Sequence, residues 1–361
     1  MTERYLITGG AGFIGSNLAD RYLSRGKRVV IFDDFSRAGT ETNAAWLAAR
    51  HGGRLEVVRG DVRRDLAGLN ALCAEADVVF HQAAQVAVTT SVTDPRADFE
   101  INALGTFNVV EAVRQSARRP ILVYSSTNKV YGEMTDVAVV ERNGRYAYAA
   151  LDAGVPESRP LDFHSPYGCS KGAGDQYVLD YARIYGLRTV VSRQSCIYGP
   201  RQFGIEDQGW VAWFAIRAMQ DLPITIYGNG RQVRDVLFVE DLLDAYDAAI
   251  AHIERTGGQA YNIGGGPANT LSLLELIALL ERRFGRPVKY GFDAPRPGDQ
   301  LVYVSDIRKA GRDFGWAPRV SAQAGVDRLV DWLLENRAHI DRVTLGAAAP
   351  VLQVSGAGIG E

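Results

Sequence analysis

The chain has 361 residues, 47% of them apolar, and a formal net charge of −2 from 40 basic and 42 acidic residues. Such a composition can furnish a globular core and holds no basic run for nucleic acid or an anionic membrane surface, so the expected partner is a small molecule. Cys73, Cys169 and Cys196 show neither disulfide nor zinc spacing, the N-terminus enters a strand without a signal peptide, and no stretch approaches the ~20 apolar residues of a membrane span; a reducing cytoplasm and no metal site are expected.

In chain order, "RYLITG", "RVVIFD", "LEVVRGD", "DVVFHQAA", "PILVYSS" and "RTVVSRQS" alternate with helical stretches and read as buried parallel strands. The pattern predicts an α/β fold with a Rossmann-type doubly wound sheet over residues 1–201. "GGAGFIG" follows the first run and places Gly9, Gly12 and Gly15 around Phe13 and Ile14. Glycines at that spacing let backbone approach a pyrophosphate at a helix N-terminus. The second run ends at Asp33, about 20 residues on, where a carboxylate accepts the adenosine ribose hydroxyls and repels a 2′-phosphate. NAD is therefore the expected cofactor, with Ser36 in the same turn; Arg37 is the feature that would suit NADP. Asp61 and Val62 in "GDVRR" fall at the adenine edge, and Ala83 and Ala84 in "HQAAQ" leave room for the nicotinamide half.

"LVYSSTNKVYG" brings Ser125, Thr127, Asn128 and Lys129 to the carboxyl edge of the fifth strand, where open α/β sheets bind ligands. Residues 133–163 lack periodicity and are expected to form an excursion over the cleft. In the following "HSPYGCSKGAGDQYVLDYARIYG", Tyr167 and Lys171 are four apart. They are either neighbours on a solvated helical face or a phenol held near ionisation by an ammonium. Only five of the basic residues are Lys, and two of them are Lys129 and Lys171. Thr127 is placed to share a substrate hydroxyl with Tyr167. Further along this helix, Tyr177, Tyr181 and Tyr185 repeat every four residues, a pattern of core or subunit contact. From about Gln202 short strands mix with helices. This predicts a smaller substrate lobe over 202–340, with some segments returning to the first domain, a ligand between the lobes, and a disordered tail over 341–361.

These motifs, together with "INALGTFNVVEA", "SPYGCSKGAGDQY", "YGNGRQVRDVLFVEDL" and "YNIGGG", resemble the extended short-chain dehydrogenases/reductases of the nucleotide-sugar epimerase/dehydratase type, from Tyr5 to about Arg337. The resemblance implies that Tyr167 is the general base and acid, that Lys171 lowers its pKa and holds the nicotinamide ribose, and that Thr127 completes the triad. Dehydratases of the family carry Asp-Glu after that Thr; Asn128 and Lys129 stand here instead, and cannot perform the elimination. Similarity is greatest to epimerases acting at carbon 2 of CDP-linked deoxyhexoses, which implies hydride passing to NAD and back through a transient ketone. Asn128 and Lys129 would then orient the sugar, while Arg234, Arg296 and Asp299 hold the nucleotide end, with Arg201 and Gln208 in reach. Relatives often carry Asn where Cys196 stands. A homodimer through the Tyr167 helix and residues 99–114 is also implied. Epimerisation at carbon 4, ring-form mutation, oxidation of another nucleotide sugar, or a non-catalytic NAD sensor remain the alternatives.

Overall fold

The computed structural model describes residues 3–296 and 299–345. All six apolar runs form strands of one parallel sheet: Arg4–Thr8, Arg28–Asp33, Leu55–Arg59, Val78–His81, Ile121–Thr127 and Thr189–Gln194. A seventh, Gln259–Ile263, returns from the second half of the chain to pair in parallel with Thr189–Gln194. In spatial order the sheet runs 259–263, 189–194, 121–127, 78–81, 4–8, 28–33, 55–59. Strand order therefore reverses between Arg4–Thr8 and Val78–His81, and the crevice above their carboxyl ends is where such sheets take ligands. The runs read as unbroken apolar stretches because both faces are covered. Leu6, Val30, Val79 and Leu122 meet one helical layer, and Ile7, Ile31, Phe80 and Val123 meet the other.

The smaller lobe packs the helices Trp210–Met219, Leu273–Phe284 and Ala322–Glu335 around Ile226, Val236 and Phe238. Its central strand, Val233–Phe238, pairs in parallel with Cys196–Tyr198 and Val302–Tyr303 and antiparallel with Thr270–Ser272. A capping box of Ser272 and Glu275 starts the Leu273–Phe284 helix by satisfying two backbone donors at once.

Two segments differ from expectation. Residues 133–163 do not cover the cleft. Their hairpin, Val139–Arg142 with Arg145–Tyr148, docks on the side of the smaller lobe, where Tyr148 donates to the Val302 carbonyl (3.0 Å) and Arg145 pairs with Glu275 (2.8 Å). Burial of Tyr148, Val155 and Tyr303 in a satellite core drives that docking. Of the tail expected to be disordered from 341, residues 341–345 complete the helix Arg337–Leu345, and the remainder lies outside the described residues.

Candidate active site

Every residue expected to hold the dinucleotide lines one cavity of about 390 Å³ at the reversal of strand order. The backbone explains why glycine is needed there. Gly9 has φ +66°, and a Cβ on it would lie 2.6 Å from the Ala83 nitrogen; one on Gly15 would lie 2.3 Å from the Gly9 oxygen. The helix Phe13–Ser24 that follows has no side-chain cap and no acidic residue in its first turn, so its N–H groups stay open to an anion. Asp33 is buried and accepts hydrogen bonds from the Ala11 and Phe35 N–H groups at 3.0 and 2.9 Å; burial holds its pKa above the ordinary carboxylate value. Ser36 donates to Asp34 (2.7 Å), and Arg63 braces Asp61 (2.7 Å). Ser125 donates to the Gln82 side-chain Oε1 at 2.5 Å, leaving the buried Gln82 Nε2, in the same wall, without a protein acceptor. A glycine cradle, open helical N–H groups, a buried carboxylate and an unspent amide donor fit a dinucleotide. Gln82 stands within "HQAAQ" but is not singled out there. Among the described residues no group of three His, Cys, Asp or Glu is placed to hold a metal ion, and no helix is long and apolar enough to cross a membrane.

A second cavity of about 420 Å³ lies between the sheet edge and the smaller lobe. It is lined by Thr127, Asn128, Lys129, Gln208, Arg234, Arg296 and Asp299, the expected substrate residues except one. Arg201 lies outside it. Its guanidinium sits 3.6 Å from the Trp46 ring centroid and 5.6 Å from that of Trp332, on a backbone with φ +70°. Stacking on indole faces holds it in the scaffold, which corrects its placement among the substrate contacts. Arg234 donates to Asp299 (2.7 Å) and the Gln300 carbonyl (2.5 Å); Arg296 pairs with Asp207 (2.8 Å) over the Tyr227 ring. Gln208 lines both cavities and accepts from Arg37. Cys196 receives the Trp210 indole N–H at 3.4 Å, and burial pushes its thiol pKa up, so a neutral thiol faces the cavity. Trp213, Phe214, Thr225 and Tyr227 form a further part of the wall. They were not foreseen, because aromatic residues on an apolar helix or short strand read as core.

Tyr167 is one of seven residues common to both cavities, with Phe13, Ile14, Val86, Ser126, Gln194 and Gln208, and so stands where they meet. Its helix, Ser165–Tyr185, starts with Pro166 in the first turn and buries both Tyr167 and Lys171. Electrostatically the pair departs from expectation. Burial pushes the Tyr167 phenol up to about 12, and the neighbour favouring its ionised form is the Thr127 hydroxyl. Burial likewise pulls Lys171 down to about 7. Its Nζ donates to the Ser125 carbonyl at 2.5 Å and lies 4.4 Å from the Tyr124 ring centroid. In this state of the protein the ammonium therefore serves the strand end and not the phenol. Half-buried Lys129 is likewise held down to about 8 by desolvation and then by Arg234, with a 3.4 Å contact to Gln300.

Residues 5–264 match the model of the NAD dependent epimerase/dehydratase family. Over 336 residues the chain is 48% identical to a CDP-paratose 2-epimerase of Salmonella typhi, covering 91% of this chain and 98% of that protein. Among solved structures it is similar to a UDP-glucose 4-epimerase of Thermotoga maritima with UDP-glucose, at TM-score 0.79 and 29% identity over 92% of this chain and 99% of that one. A UDP-glucuronic acid 4-epimerase of Bacillus cereus in complex with UDP-glucuronic acid and NAD is similar at TM-score 0.78 and 27% identity, over 92% of this chain and 99% of that one.

Proposed function

The chain belongs to the NAD dependent epimerase/dehydratase family and is an NAD-dependent nucleotide-sugar epimerase; from that premise we propose that it inverts carbon 2 of a CDP-linked deoxyhexose through a transient ketone. The observation that carries this reading is the position of Tyr167 in the wall common to both cavities, one side suited to a dinucleotide and the other able to admit a sugar. The 48% identity to the Salmonella typhi CDP-paratose 2-epimerase supports the choice of sugar and carbon. NAD, when bound, would supply a reversible hydride acceptor for the sugar carbon.

The chain's own residues do the remaining work. Tyr167 takes the proton from the sugar hydroxyl at its phenolic oxygen and returns it to the ketone oxygen, with the Thr127 hydroxyl as hydrogen-bond partner. Lys171, Asp33 and the glycine cradle would hold the dinucleotide. Arg234 and Arg296 offer guanidinium forks to the diphosphate, in exchange for their present partners Asp299 and Asp207. Asp299 then becomes free to accept ribose hydroxyls. Asn128 and Lys129 sit beside Thr127, where an elimination would need a carboxylic acid and a carboxylate. Inversion without loss of water is the chemistry left to them. A dimer formed on the exposed flank of the Tyr167 helix is part of the same reading.

The test presents CDP-, GDP-, UDP- and dTDP-linked hexoses and deoxyhexoses to the purified protein, with product stereochemistry read by NMR. Inversion at carbon 2 confined to a CDP-linked deoxyhexose is expected. Inversion at carbon 4 of a UDP-hexose, with none at carbon 2, would overturn the proposal.

A further inference from the structure

Two buried carboxylates flank the Tyr167–Lys171 pair, Asp175 on its own helix and Asp98 on a neighbouring one, and they are satisfied in different ways. Asp175, one turn beyond Lys171, is gripped by Arg193 through two bonds of 2.9 Å and also accepts from Ser126 at 2.7 Å. It has its own cation in Arg193, although its field still reaches Lys171. Asp98, wholly buried in the short helix Pro95–Phe99, has three neutral donors instead: Ser170 Oγ at 2.5 Å, Gln85 Nε2 at 2.9 Å and Asn102 Nδ2 at 3.0 Å. Asn102 reaches it from the π-helical turn Glu100–Leu104, an irregularity often found beside functional sites. Among the described residues no Lys or Arg forms an ion pair with Asp98, and the cation whose field it feels is Lys171.

Burying a carboxylate without an ion-pair partner is costly; here three hydrogen bonds and the charge of Lys171 offset part of that cost. The Ser170 bond ties Asp98 to the residue that precedes Lys171 on the helix. On the own element of Asp98, Arg96 pairs with Glu100 at the surface (2.9 Å) and Asp94 caps the helix through the Ala97 N–H. Facing Lys171 are Asp175, whose charge raises the Lys171 pKa more than that of Asp98 does even with Arg193 beside it, the Tyr124 ring, the Ser125 carbonyl, and His81, whose pKa burial lowers to about 3 and which is therefore uncharged at neutral pH. Tyr167 faces Asp98 as well.

We propose that Asp98 is a positioning residue that keeps Lys171 in its ammonium form and sets the pH window in which the Tyr167–Lys171 pair works. The proposal rests on the assignment of that pair as the proton-handling groups. The sign follows from charge alone. A nearby negative charge raises the pKa of a cationic acid and of a neutral one, so removing it lowers both. Lys171 then loses its proton at lower pH, and Tyr167 ionises at lower pH.

Asp98→Asn, close to isosteric, is expected to move both limbs of the kcat/KM–pH profile to lower pH by about half a unit or more. A role limited to packing lowers the plateau and leaves the limbs in place, and that result overturns the proposal. Tyr167→Phe runs in parallel. If it keeps turnover, the assignment of the pair fails; if it is inactive and the Asp98→Asn limbs stay put, only the role of Asp98 fails. Should Asp98→Asn not fold, the reciprocal measurement decides. Lys171→Met should raise the Asp98 carboxyl pKa, followed by 13C NMR, and an unchanged value refutes the coupling.

Discussion

A single hydroxyl connects the two halves of the site. Tyr167 is 8% exposed and its phenol is held up at about 12, a value at which it is a poor base at neutral pH. Thr127 favours the ionised form, while Lys171 donates to the Ser125 carbonyl. Tyr167→Phe removes the proton acceptor and leaves the glycine cradle, Asp33 and Lys171 intact. Turnover is expected to fall by about 10²- to 10⁴-fold with NAD affinity retained, measured by single-turnover kinetics and by NAD titration. Tyr167 was legible in the sequence because it alone among sixteen tyrosines has a Lys four residues on. The direction of the Lys171 ammonium was not, because a spacing of four places two side chains on one face without saying which acceptor each one finds. Arg201 shows the same limit. Next to Gln202, which does line the substrate cavity, it turns away to stack on Trp46, a residue 155 positions earlier in the chain.

At the scale of elements, the strand–turn–helix from Arg4 to Ser24 is written locally: an apolar β-rich run, glycines where backbone must meet backbone, then a helix with an open N-terminus. Gly15 is where that turn is tightest. Gly15→Ala puts a methyl group 2.3 Å from the Gly9 oxygen and 2.6 Å from the Gly10 Cα, with no flexible side chain to give way. The strain is expected to cost about 1–3 kcal/mol, seen as a lower Tm, together with at least a tenfold weaker NAD affinity. Gly68→Ala is the comparison. It lies in the helix Leu66–Glu75 with open space around its Cα, and should stabilise the fold by about 0.5–1 kcal/mol. The 133–163 segment is the opposite case. Its hairpin residues show no strong period, and their place is chosen by partners such as Glu275 and Val302, far away in sequence.

For the whole molecule, the exposed flank of the Tyr167 helix is the feature left unsatisfied by a single chain. Tyr181 turns inward and donates to Glu111 (2.6 Å), whereas Tyr177, Ile184 and the neighbouring Phe99 stay open at 47%, 62% and 57% exposure. A homodimer on this face predicts a sedimenting mass twice the 39.4 kDa of the chain, and Phe99→Glu with Ile184→Glu should return it to the monomer value. The same face could be suspected from tyrosines at every fourth position, but which of them point outward is settled only by packing. By itself the sequence determined the six apolar strands, the glycine turn, Asp33 and the Tyr167–Lys171 pair, because each depends on interactions within about two dozen residues. The tertiary structure alone decided that Gln259–Ile263 closes the sheet, that two cavities meet at Tyr167, and that Asp98 stands under the helix with no cation of its own. Those outcomes depend on which distant side chains share a buried volume, and no local period encodes that.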